Sequence, residues 1–430
     1  MKLTKEEQGI LDGEKGEVMA KVMKTLVMYG DAFGAEKMVK VTGASGHLVT
    51  SFGLSMMKPV YALMDKLIQA GALSGQKFTV NPRPLDPNVP SGALAKLLFK
   101  IMYSKQEFYE EQLRTMGLVN DDGFSCTCYM NEVGNTPKKG DILSWAESSA
   151  VVYANSVLGA KCNRNSGIIE LFGSIAGKVP CFGLLTDQGR MATWIIEVKT
   201  GKKPEAQLLG SAIGMKVMEE VPLIKGLDKW IGTDLNRSTE KGRAAADYLK
   251  DMGAATASNG AVGLYHVENL TPEAKSLGKD LIAKNARVYV IDDNELERVK
   301  QNYPCIWKDL SAEPELCFIG CPHLSGAQLK SWTERVLGAL NEKGRQKLVI
   351  PTVFTAAPAV LKEFRGTEEA KKLEQAGVIL STICPLMYMN NPLCGKRPVI
   401  TNSNKLRTYT SSRYYTDDEI TNKITGGAAK

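Results

Sequence analysis

The second half of the chain alternates short apolar stretches with longer amphipathic ones, and this alternation constrains the fold more than any other feature. The apolar stretches predict strands at residues 192–198, 260–266, 286–291, 315–319, 347–353, 377–381 and 397–401. The amphipathic stretches predict helices near residues 206–219, 239–252, 272–284, 293–301, 325–342 and 356–375. Alternating strands and helices favour parallel sheets covered by helices, so the sequence predicts an α/β fold. Ligands of such sheets bind beyond the carboxyl ends of the strands.

The first half of the chain is less regular. A capping-box pattern at Thr4 and Glu7 begins a helix. Further helices are predicted at 18–29, 57–69 and 94–116, and the last of these carries Leu97, Leu98, Ile101 and Met102 on one face. Residues 41–53 are predicted to be a loop rich in Gly, Ser and Thr, and four prolines make residues 81–91 irregular.

Length and composition limit the class of protein. The chain has 430 residues, 43% of them hydrophobic, which indicates a soluble globular protein and excludes disordered and coiled-coil classes. At about 150 residues per domain, two or three domains are expected. The turn at Lys199–Pro204 is a candidate boundary. We therefore predict a mixed α/β part over residues 1–204 and an α/β domain over residues 205–430.

Charge and apolar run length bear on partners and location. The formal net charge is +7, which fits an acidic small substrate or partner as well as it fits nucleic acid. No apolar run approaches the roughly 18 residues of a membrane span, and residues 1–7 hold no apolar signal core. The expectation is a cytoplasmic protein without a membrane segment, whose nine cysteines are reduced.

Three cysteines lie where chemistry is plausible. Cys321 and Cys384 each follow a predicted strand and precede a proline, at the sheet end where α/β sites form. Cys128 lies in the triplet Cys126-Thr127-Cys128. A proline after a ligating cysteine occurs in iron–sulfur proteins, although free cysteines are also commonly buried core residues. Both interpretations stay open from the spacing alone.

Several other kinds of site lack their motifs. The cysteines form no Cys-x-x-Cys ribbon, which disfavours structural zinc, and three histidines give little material for a His-ligated zinc hydrolase. No Gly-x-Ser-x-Gly elbow is present, so a serine hydrolase with such an elbow is not supported. No Walker A motif or Gly-x-Gly-x-x-Gly loop is present either, so nucleotide chemistry is not supported. By contrast, a predicted helix at 145–158 carries Ser148, Ser149, Asn155 and Ser156, which is a composition expected around a polar ligand.

Several segments together resemble the aconitase X family. They are residues 145–160 (WAESSAVVYANSVLGA), Asn163-Arg164, residues 260–266 (GAVGLYH), residues 318–325 (FIGCPHLS) and Thr401-Asn402-Ser403. The resemblance covers nearly the whole chain in order. It implies aconitase-like catalytic domains, with parallel sheets flanked by helices, and no small swivelling domain.

The resemblance also implies an activity. It is that of the large catalytic subunit of a hydro-lyase, a dehydratase acting on a small anionic hydroxy acid such as 5-phosphomevalonate or cis-3-hydroxy-L-proline. The family's iron–sulfur cluster, or mononuclear iron, is held by three cysteines that match Cys128, Cys321 and Cys384. The catalytic base is expected on a separate small subunit that carries the swivelling domain, so the active site would be split between two chains.

The resemblance further assigns substrate contacts. They match Gly46, His47, Leu48, Asn81, Pro82, Glu147, Ser148 and Lys405. Arg164 is a candidate carboxylate clamp, because a guanidinium binds carboxylate bidentately. A purely structural interpretation is available for several of them: a proline turn at Asn81-Pro82, polarity of a helix surface at Glu147 and Ser148, and a solvated side chain at Lys405.

The chain departs from the family pattern at three places. The first ligating cysteine of the family is usually followed by Thr-Pro-Tyr, whereas Tyr129-Met130-Asn131 follows Cys128, so Cys126 is an alternative ligand. Cys162 occupies a position that is more often threonine, and it is another candidate substitute. Leu48 stands where the family usually has serine, which allows a different substrate.

Two alternatives to the enzyme come from other classes. One is a non-catalytic, iron-sensing or RNA-binding relative; the charge permits it, but no basic stripe interleaved with aromatic residues supports nucleic-acid binding. The other is a relative that has lost its metal through the changes around Cys128.

Overall fold

The computed structural model describes residues 1–50 and 52–427. The helices are α1 (Lys5–Leu11), α2 (Glu17–Ala32), α3 (Lys58–Gln69), α4 (Ala93–Met102), α5 (Gln106–Met116), α6 (Ser148–Ser156), α7 (Gly167–Ala176), α8 (Ala206–Val217), α9 (Asp228–Ile231), α10 (Glu240–Asn259), α11 (Pro272–Leu277), α12 (Asp293–Gln301), α13 (Gly326–Glu342), α14 (Pro358–Phe364), α15 (Glu368–Gln375), α16 (Pro385–Met389), α17 (Asn404–Tyr409) and α18 (Asp417–Ile424). The strands are β1 (Met38–Lys40), β2 (Ser45–Leu48), β3 (Lys77–Val80), β4 (Lys178–Pro180), β5 (Ala192–Val198), β6 (Pro222–Lys225), β7 (His266–Val267), β8 (Ile282–Ile291), β9 (Leu316–Leu324), β10 (Thr352–Ala356), β11 (Val378–Ser381), β12 (Val399–Thr401) and β13 (Arg413–Tyr414).

Two all-parallel sheets form the frame of the molecule. One has the strand order β7-β6-β5-β8, and the other has the order β11-β10-β9-β12-β13. All nine residues of β9 are buried, as expected for an inner strand of a parallel sheet with helices on its faces. The predicted α/β class, with parallel sheets flanked by helices, is confirmed.

Two smaller strand pairs complete the N-terminal part. The strands β1 and β4 pair antiparallel, whereas β2 and β3 pair parallel with His47 opposite Thr79. An isolated bridge joins His47 to Trp145, just before α6. The pair β2–β3 is therefore fixed beside the start of α6, where the polar residues of that helix begin.

The three largest apolar cores among the described residues hold these layers together. The largest joins the two parallel sheets and includes Ile196 of β5 and Ile319 of β9. A second core lies in the N-terminal part and includes Leu48 and Phe78. A third lies beneath residues 81–91 and includes Cys321. Among the described residues, no helix is long and apolar enough to cross a bilayer.

The structure confirms many predicted elements and corrects others. The capping box at Thr4 and Glu7 is present. The loop predicted at 41–53 contains β2, because this segment pairs with β3 and buries its side chains. The helix predicted at 94–116 is two helices, α4 and α5, separated by residues 103–105.

Five more corrections concern the second half. The strand predicted at 260–266 is only the two-residue β7, and the helix predicted at 272–284 ends at Leu277, since the chain then pairs with β5 as β8. The strand predicted at 347–353 is β10, which begins only at Thr352, and the helix predicted at 356–375 divides into α14 and α15. The strand predicted at 315–319 extends to Leu324, so that Cys321 lies inside β9.

Candidate active site

Three segments that are distant in sequence meet at the imidazole of His323. Ser125 Oγ lies 3.2 Å from His323 Nδ1, and the Ile383 carbonyl oxygen lies 3.4 Å from Nε2. A carbonyl only accepts, so Nε2 carries the proton and Nδ1 accepts from Ser125. Burial lowers the pKa of His323 to about 4, which keeps the ring neutral at pH 7. These hydrogen bonds bring together the segments that carry Cys126, Cys321 and Cys384.

The three thiols of these segments share one electrostatic environment. Cys321 and Cys384 are buried, and Cys126 is half-buried. Removal from water raises the pKa of each thiol to about 12. The thiols also act on one another, since Cys321 raises the pKa of Cys126, and Cys126 raises that of Cys384. The Lys405 ammonium acts on all three in the opposite direction.

The backbone before Cys321 requires a glycine. Gly320 has a φ of 108°, a conformation that side chains disfavour, and a Cβ there would collide with the backbone of Thr355 on β10. The Cys321 carbonyl oxygen accepts a hydrogen bond from Ser403 Oγ, and Ser403 also caps α17. The position of Cys321 is therefore set by β10 on one side and by the start of α17 on the other.

Cys128 and Cys162 occupy different surroundings. Cys128 is fully buried; burial raises its pKa, and so does Glu147, whereas the Thr79 hydroxyl lowers it. Cys162 Sγ donates to the carbonyl oxygens of Trp145, at 3.5 Å, and Asn163, at 3.2 Å. Of the two thiols in the Cys126-Thr127-Cys128 triplet, Cys126 is the one that is electrostatically coupled to Cys321 and Cys384.

The chemistry of the donor atoms bears on whether Cys126, Cys321 and Cys384 could hold iron. In the part of the chain that the structure describes, no three His, Cys, Asp or Glu side chains are arranged closely enough to bind a metal ion as they stand. Even so, Cys126, Cys321 and Cys384 supply thiols from three segments that share one hydrogen-bonded centre at His323. Thiolate is the usual protein ligand of iron–sulfur clusters, so the donor set fits an iron centre in type, and its three thiols equal the number that the family resemblance implies.

Glu147 and Lys405 form a buried ion pair beside the thiols. Glu147 is the N-cap of α6, and Lys405 lies in the first turn of α17. Lys405 Nζ donates to Glu147 Oε1, whereas Glu147 Oε2 accepts from Ser149 Oγ and the Ala150 amide, both at 2.6 Å. Burial disfavours the carboxylate, but Lys405 and these hydrogen bonds outweigh it and lower the pKa of Glu147 to about 2. Burial likewise opposes the ammonium, but the carboxylate raises the pKa of Lys405 above its ordinary value.

His47 and Asn81 present polar atoms without well-formed hydrogen bonds in the same region. His47 Nδ1 lies 2.8 Å from Thr79 Oγ1, and burial lowers the pKa of His47 to about 4 although Glu147 and Asn81 favour its charged form. Among the described residues, His47 Nε2 and Asn81 Oδ1 are buried without a well-formed hydrogen bond, and the only side-chain interaction of this kind for His47 Nε2 or Asn81 Oδ1 is the one between these two side chains. A buried polar atom without a hydrogen bond costs free energy, so the presence of such atoms is typical of a site that binds a polar ligand.

The remaining predicted contacts are placed less uniformly. The Gly46 carbonyl oxygen accepts from Asn135 Nδ2 at 2.9 Å, and that of Leu48 accepts from the Asn81 amide at 3.2 Å. The Leu48 side chain is 1% exposed and packs in the N-terminal core. Pro82 directly follows Asn81, and Ser148 is half-buried at the first position of α6. Arg164 is exposed and donates to the Ala261 carbonyl oxygen.

The structure thus gathers most of the predicted residues and adds others. Glu147, Lys405, His47 and Asn81 influence one another electrostatically, and Lys405 also acts on the thiols. Sequence reasoning missed the roles of Ser125, Thr79 and His323. His323 had a usable signal, because it stands two residues after Cys321 in a chain with three histidines. Ser125 and Thr79 had none, since their partners lie far away in sequence.

Comparison with known proteins identifies the family of the chain. Three family models match in order: the aconitase X first domain over residues 1–188, the second domain over 192–301 and the third domain over 314–420. The chain therefore belongs to the aconitase X family, as the motifs predicted. The structure is similar to the crystal structure of Thermococcus kodakaraensis aconitase X in its holo-form, with a TM-score of 0.79 and 29% sequence identity over 100% of both chains.

Similar curated proteins are dehydratases. The phosphomevalonate dehydratase large subunit of Thermococcus kodakarensis is 32% identical over 423 residues, which is 95% of both chains. That of Methanocaldococcus jannaschii is 34% identical over 78% of both chains. The cis-3-hydroxy-L-proline dehydratase of Hypocrea jecorina is 26% identical over 96% of this chain but only 67% of its own length.

Proposed function

We propose that this chain is the large subunit of a dehydratase that removes water from a small anionic hydroxy acid. The observation that carries the proposal is the match, end to end, with large subunits of phosphomevalonate dehydratase, together with a buried polar site in the same family fold. The match to cis-3-hydroxy-L-proline dehydratase is weaker and leaves a third of that protein uncovered. 5-Phosphomevalonate is therefore the first substrate to test and cis-3-hydroxy-L-proline the second.

The iron of this family would be held by Cys126, Cys321 and Cys384. The electrostatic coupling of these three thiols, together with the hydrogen bonds of Ser125 and Ile383 to His323 that bring their segments together, supports Cys126, the alternative noted in the sequence, in preference to Cys128. When bound, the iron supplies a Lewis acid that stabilises a departing hydroxide.

The polar residues around the thiols would bind and orient the substrate. Asn81 Oδ1 offers an acceptor and His47 Nε2 a neutral ring nitrogen, and neither buried atom makes a well-formed hydrogen bond within the described residues. The ammonium of Lys405 and the exposed guanidinium of Arg164 supply positive charge for an anionic group. The pair Glu147–Lys405 fixes its two charges, because Glu147 stays ionised above a pKa of about 2.

Among the described residues, neither Glu147 nor His47 is a strong base at this site. Both oxygens of Glu147 are engaged in hydrogen bonds, and its pKa of about 2 makes it a weak proton acceptor. His47 is buried with a pKa of about 4. A base works best when its pKa is near the operating pH. These features support a base on a separate small subunit, as the names of the large-subunit relatives also suggest.

Replacing single cysteines by serine tests the iron assignment. Cys126→Ser, Cys321→Ser and Cys384→Ser are each expected to lower bound iron at least fivefold after anaerobic reconstitution, because one thiolate is lost. The matched controls are Cys128→Ser and Cys317→Ser, which also replace buried thiols. Iron and acid-labile sulfide content, with the visible spectrum, are the measurements. Full iron in Cys126→Ser with loss in Cys128→Ser would restore the Cys128 assignment.

Activity is tested with the two substrates after the small subunit is added. The proposal expects turnover of 5-phosphomevalonate only when both chains and iron are present. Turnover by this chain alone would contradict the split site, and turnover of neither hydroxy acid by the loaded complex would contradict the substrate class.

A further inference from the structure

We propose that the outward apolar face of α4 is the surface on which the small subunit docks, an inference that rests on the proposed function. We call this surface the α4 face and define it as Leu94, Leu97 and Ile101 with the adjacent Met56. These side chains are 66%, 55%, 57% and 80% exposed. Leu94, Leu97 and Ile101 recur at the spacing i, i+3, i+7, which places them on one side of the helix. Met56 is beside them, because the amide of Ser55 donates to the Met102 carbonyl oxygen at 2.8 Å.

The opposite side of α4 is firmly packed, so the α4 face does not belong to a loosely held helix. Ala95 and Phe99 are buried, and the Phe99 ring lies 5.8 Å from that of Tyr388. Asn391 Nδ2 donates to the Ala95 carbonyl oxygen at 3.1 Å. A helix that is apolar on both sides is normally covered on both. Contiguous exposed apolar patches mark interaction sites.

The helix α4 lies next to the candidate active site. Tyr103, at the C-terminal end of α4, is close enough to Cys384 for that thiol to affect the Tyr103 pKa. Residues 81–91 lead from Asn81 into α4 and are tied to the Cys384 segment, since the Cys384 amide donates to the Arg83 carbonyl oxygen at 2.9 Å. Asp86, which also lies within residues 81–91, accepts a hydrogen bond from Ser381 Oγ at 2.6 Å. Because the buried side of α4 is the one that faces the Cys384 segment, a protein seated on the α4 face would be separated from the candidate site by the width of this helix.

The relatives indicate what covers this face. This chain accounts for only 67% and 65% of two cis-3-hydroxy-L-proline dehydratases, so about a third of those single chains has no counterpart here. The phosphomevalonate dehydratase relatives are named large subunits and match without such an excess. A subunit that completes the site must contact this chain near the thiols, and the α4 face offers exposed apolar area on the helix that packs against the Cys384 segment. Lys96 and Lys100 are exposed along one edge of the α4 face, so the partner is expected to present an apolar patch with an acidic rim.

The test is a direct binding measurement on the full chain. The probe is the polypeptide of the same genome that matches the uncovered third of the cis-3-hydroxy-L-proline dehydratases, expressed alone. Its affinity is measured by calorimetry for the wild type, for the double variant Leu97→Glu/Ile101→Glu and for the control Val288→Glu/Val290→Glu. The control also replaces two exposed apolar side chains, 56% and 42% exposed, but on β8. Circular dichroism and iron content establish that each variant is folded and loaded.

At least a tenfold loss of affinity in the α4 variant, with wild-type affinity in the control, is the expected result. Equal affinity for the wild type and the α4 variant would overturn the assignment of this surface while leaving the proposed function intact. Failure of the wild type to bind the probe would overturn both. The oligomeric state of each variant is measured by light scattering. If the wild type is a homodimer and only the α4 variant is a monomer, this face is a contact between two copies of this chain, and the proposal is overturned.

Discussion

At the scale of single residues, the ion pair of Lys405 with Glu147 is the interaction with the largest consequence. Both side chains are nearly inaccessible, at 6% and 2% exposure. A buried charge is tolerated when its partner and hydrogen bonds replace water, and it becomes costly when the partner is removed. The pair also orients the start of α6 against α17, which places polar groups from distant parts of the sequence at one site.

We predict that Lys405→Met destabilises the protein by about 3–5 kcal/mol, because Glu147 is left buried without its counter-charge. The pKa of Glu147, about 2 in the wild type, should rise once burial is unopposed. Urea unfolding at pH 7 measures the loss. The double variant Lys405→Met/Glu147→Gln should recover part of it, and a single variant as stable as the wild type would show that the pair is not formed.

At the scale of elements, α7 is held against the segment before α6 by a buried carboxyl group. Glu170 accepts from Ser144 Oγ and from Asn165 Nδ2, both at 2.6 Å. Burial raises its pKa from 4.5 to about 8, although these hydrogen bonds oppose the shift. The group is therefore largely protonated in the folded protein at neutral pH.

This shift predicts a pH dependence of stability. Folding favours the protonated form of Glu170, so its contribution is complete below about pH 4.5 and is lost as the pH rises towards 8. The expected slope is about −1.4 kcal/mol per pH unit within that window. In Glu170→Gln, the free energy of unfolding measured by urea at several pH values should lose this slope. The surface variant Glu363→Gln should keep it, and an unchanged slope in Glu170→Gln would refute the assignment.

Element prediction succeeded where one local signal decided the outcome. The helix predicted at 57–69 is α3, and the strand predicted at 192–198 is β5, because periodicity and end signals agreed there. The sequence placed residues 41–53 in a loop, since Gly, Ser and Thr are poor strand formers in isolation. Pairing of β2 with β3 and burial against Trp145 overrode that local preference.

At the scale of the whole molecule, the second and third family domains are joined through buried polar contacts. Gln207 of α8 accepts from the Asn404 amide at 3.0 Å, and Asn404 Nδ2 donates to the Gln207 carbonyl oxygen at 2.9 Å. Gln207 Nε2 also lies 3.5 Å from the Cys321 carbonyl oxygen. The largest apolar core includes residues from both of these domains. The Cys321 segment of the candidate site is therefore positioned by the packing of one domain on another.

We predict that Gln207→Ala destabilises the chain by about 1–3 kcal/mol, because the buried Asn404 amide loses its acceptor. The expected readout is a lower midpoint of urea unfolding together with weaker iron retention, since the Cys321 segment loses a contact. Gln301→Ala removes an exposed glutamine side chain of α12 and should change stability by less than about 0.5 kcal/mol. Equal effects of the two variants would argue against coupling between the domains.

The sequence by itself determined the α/β class and the family, and it nominated the cysteines that precede proline as candidate ligands. Periodicity and contiguous motifs are local properties of the chain, and they survive without knowledge of what packs against them. The division into residues 1–204 and 205–430 remains a prediction. Likewise, the sequence could nominate both Cys126 and Cys128, but two positions so close together cannot be separated by spacing.

Only the tertiary structure decided which side chains share an environment. It joined Ser125, His323 and Ile383 by hydrogen bonds, and it paired Glu147 with Lys405 across 258 positions of sequence. It also showed that the apolar face of α4, which periodicity alone would bury, is exposed. The physical reason is that burial and electrostatic coupling depend on the distance through space between groups, and the order of residues fixes that distance only after the sheets and helices have packed.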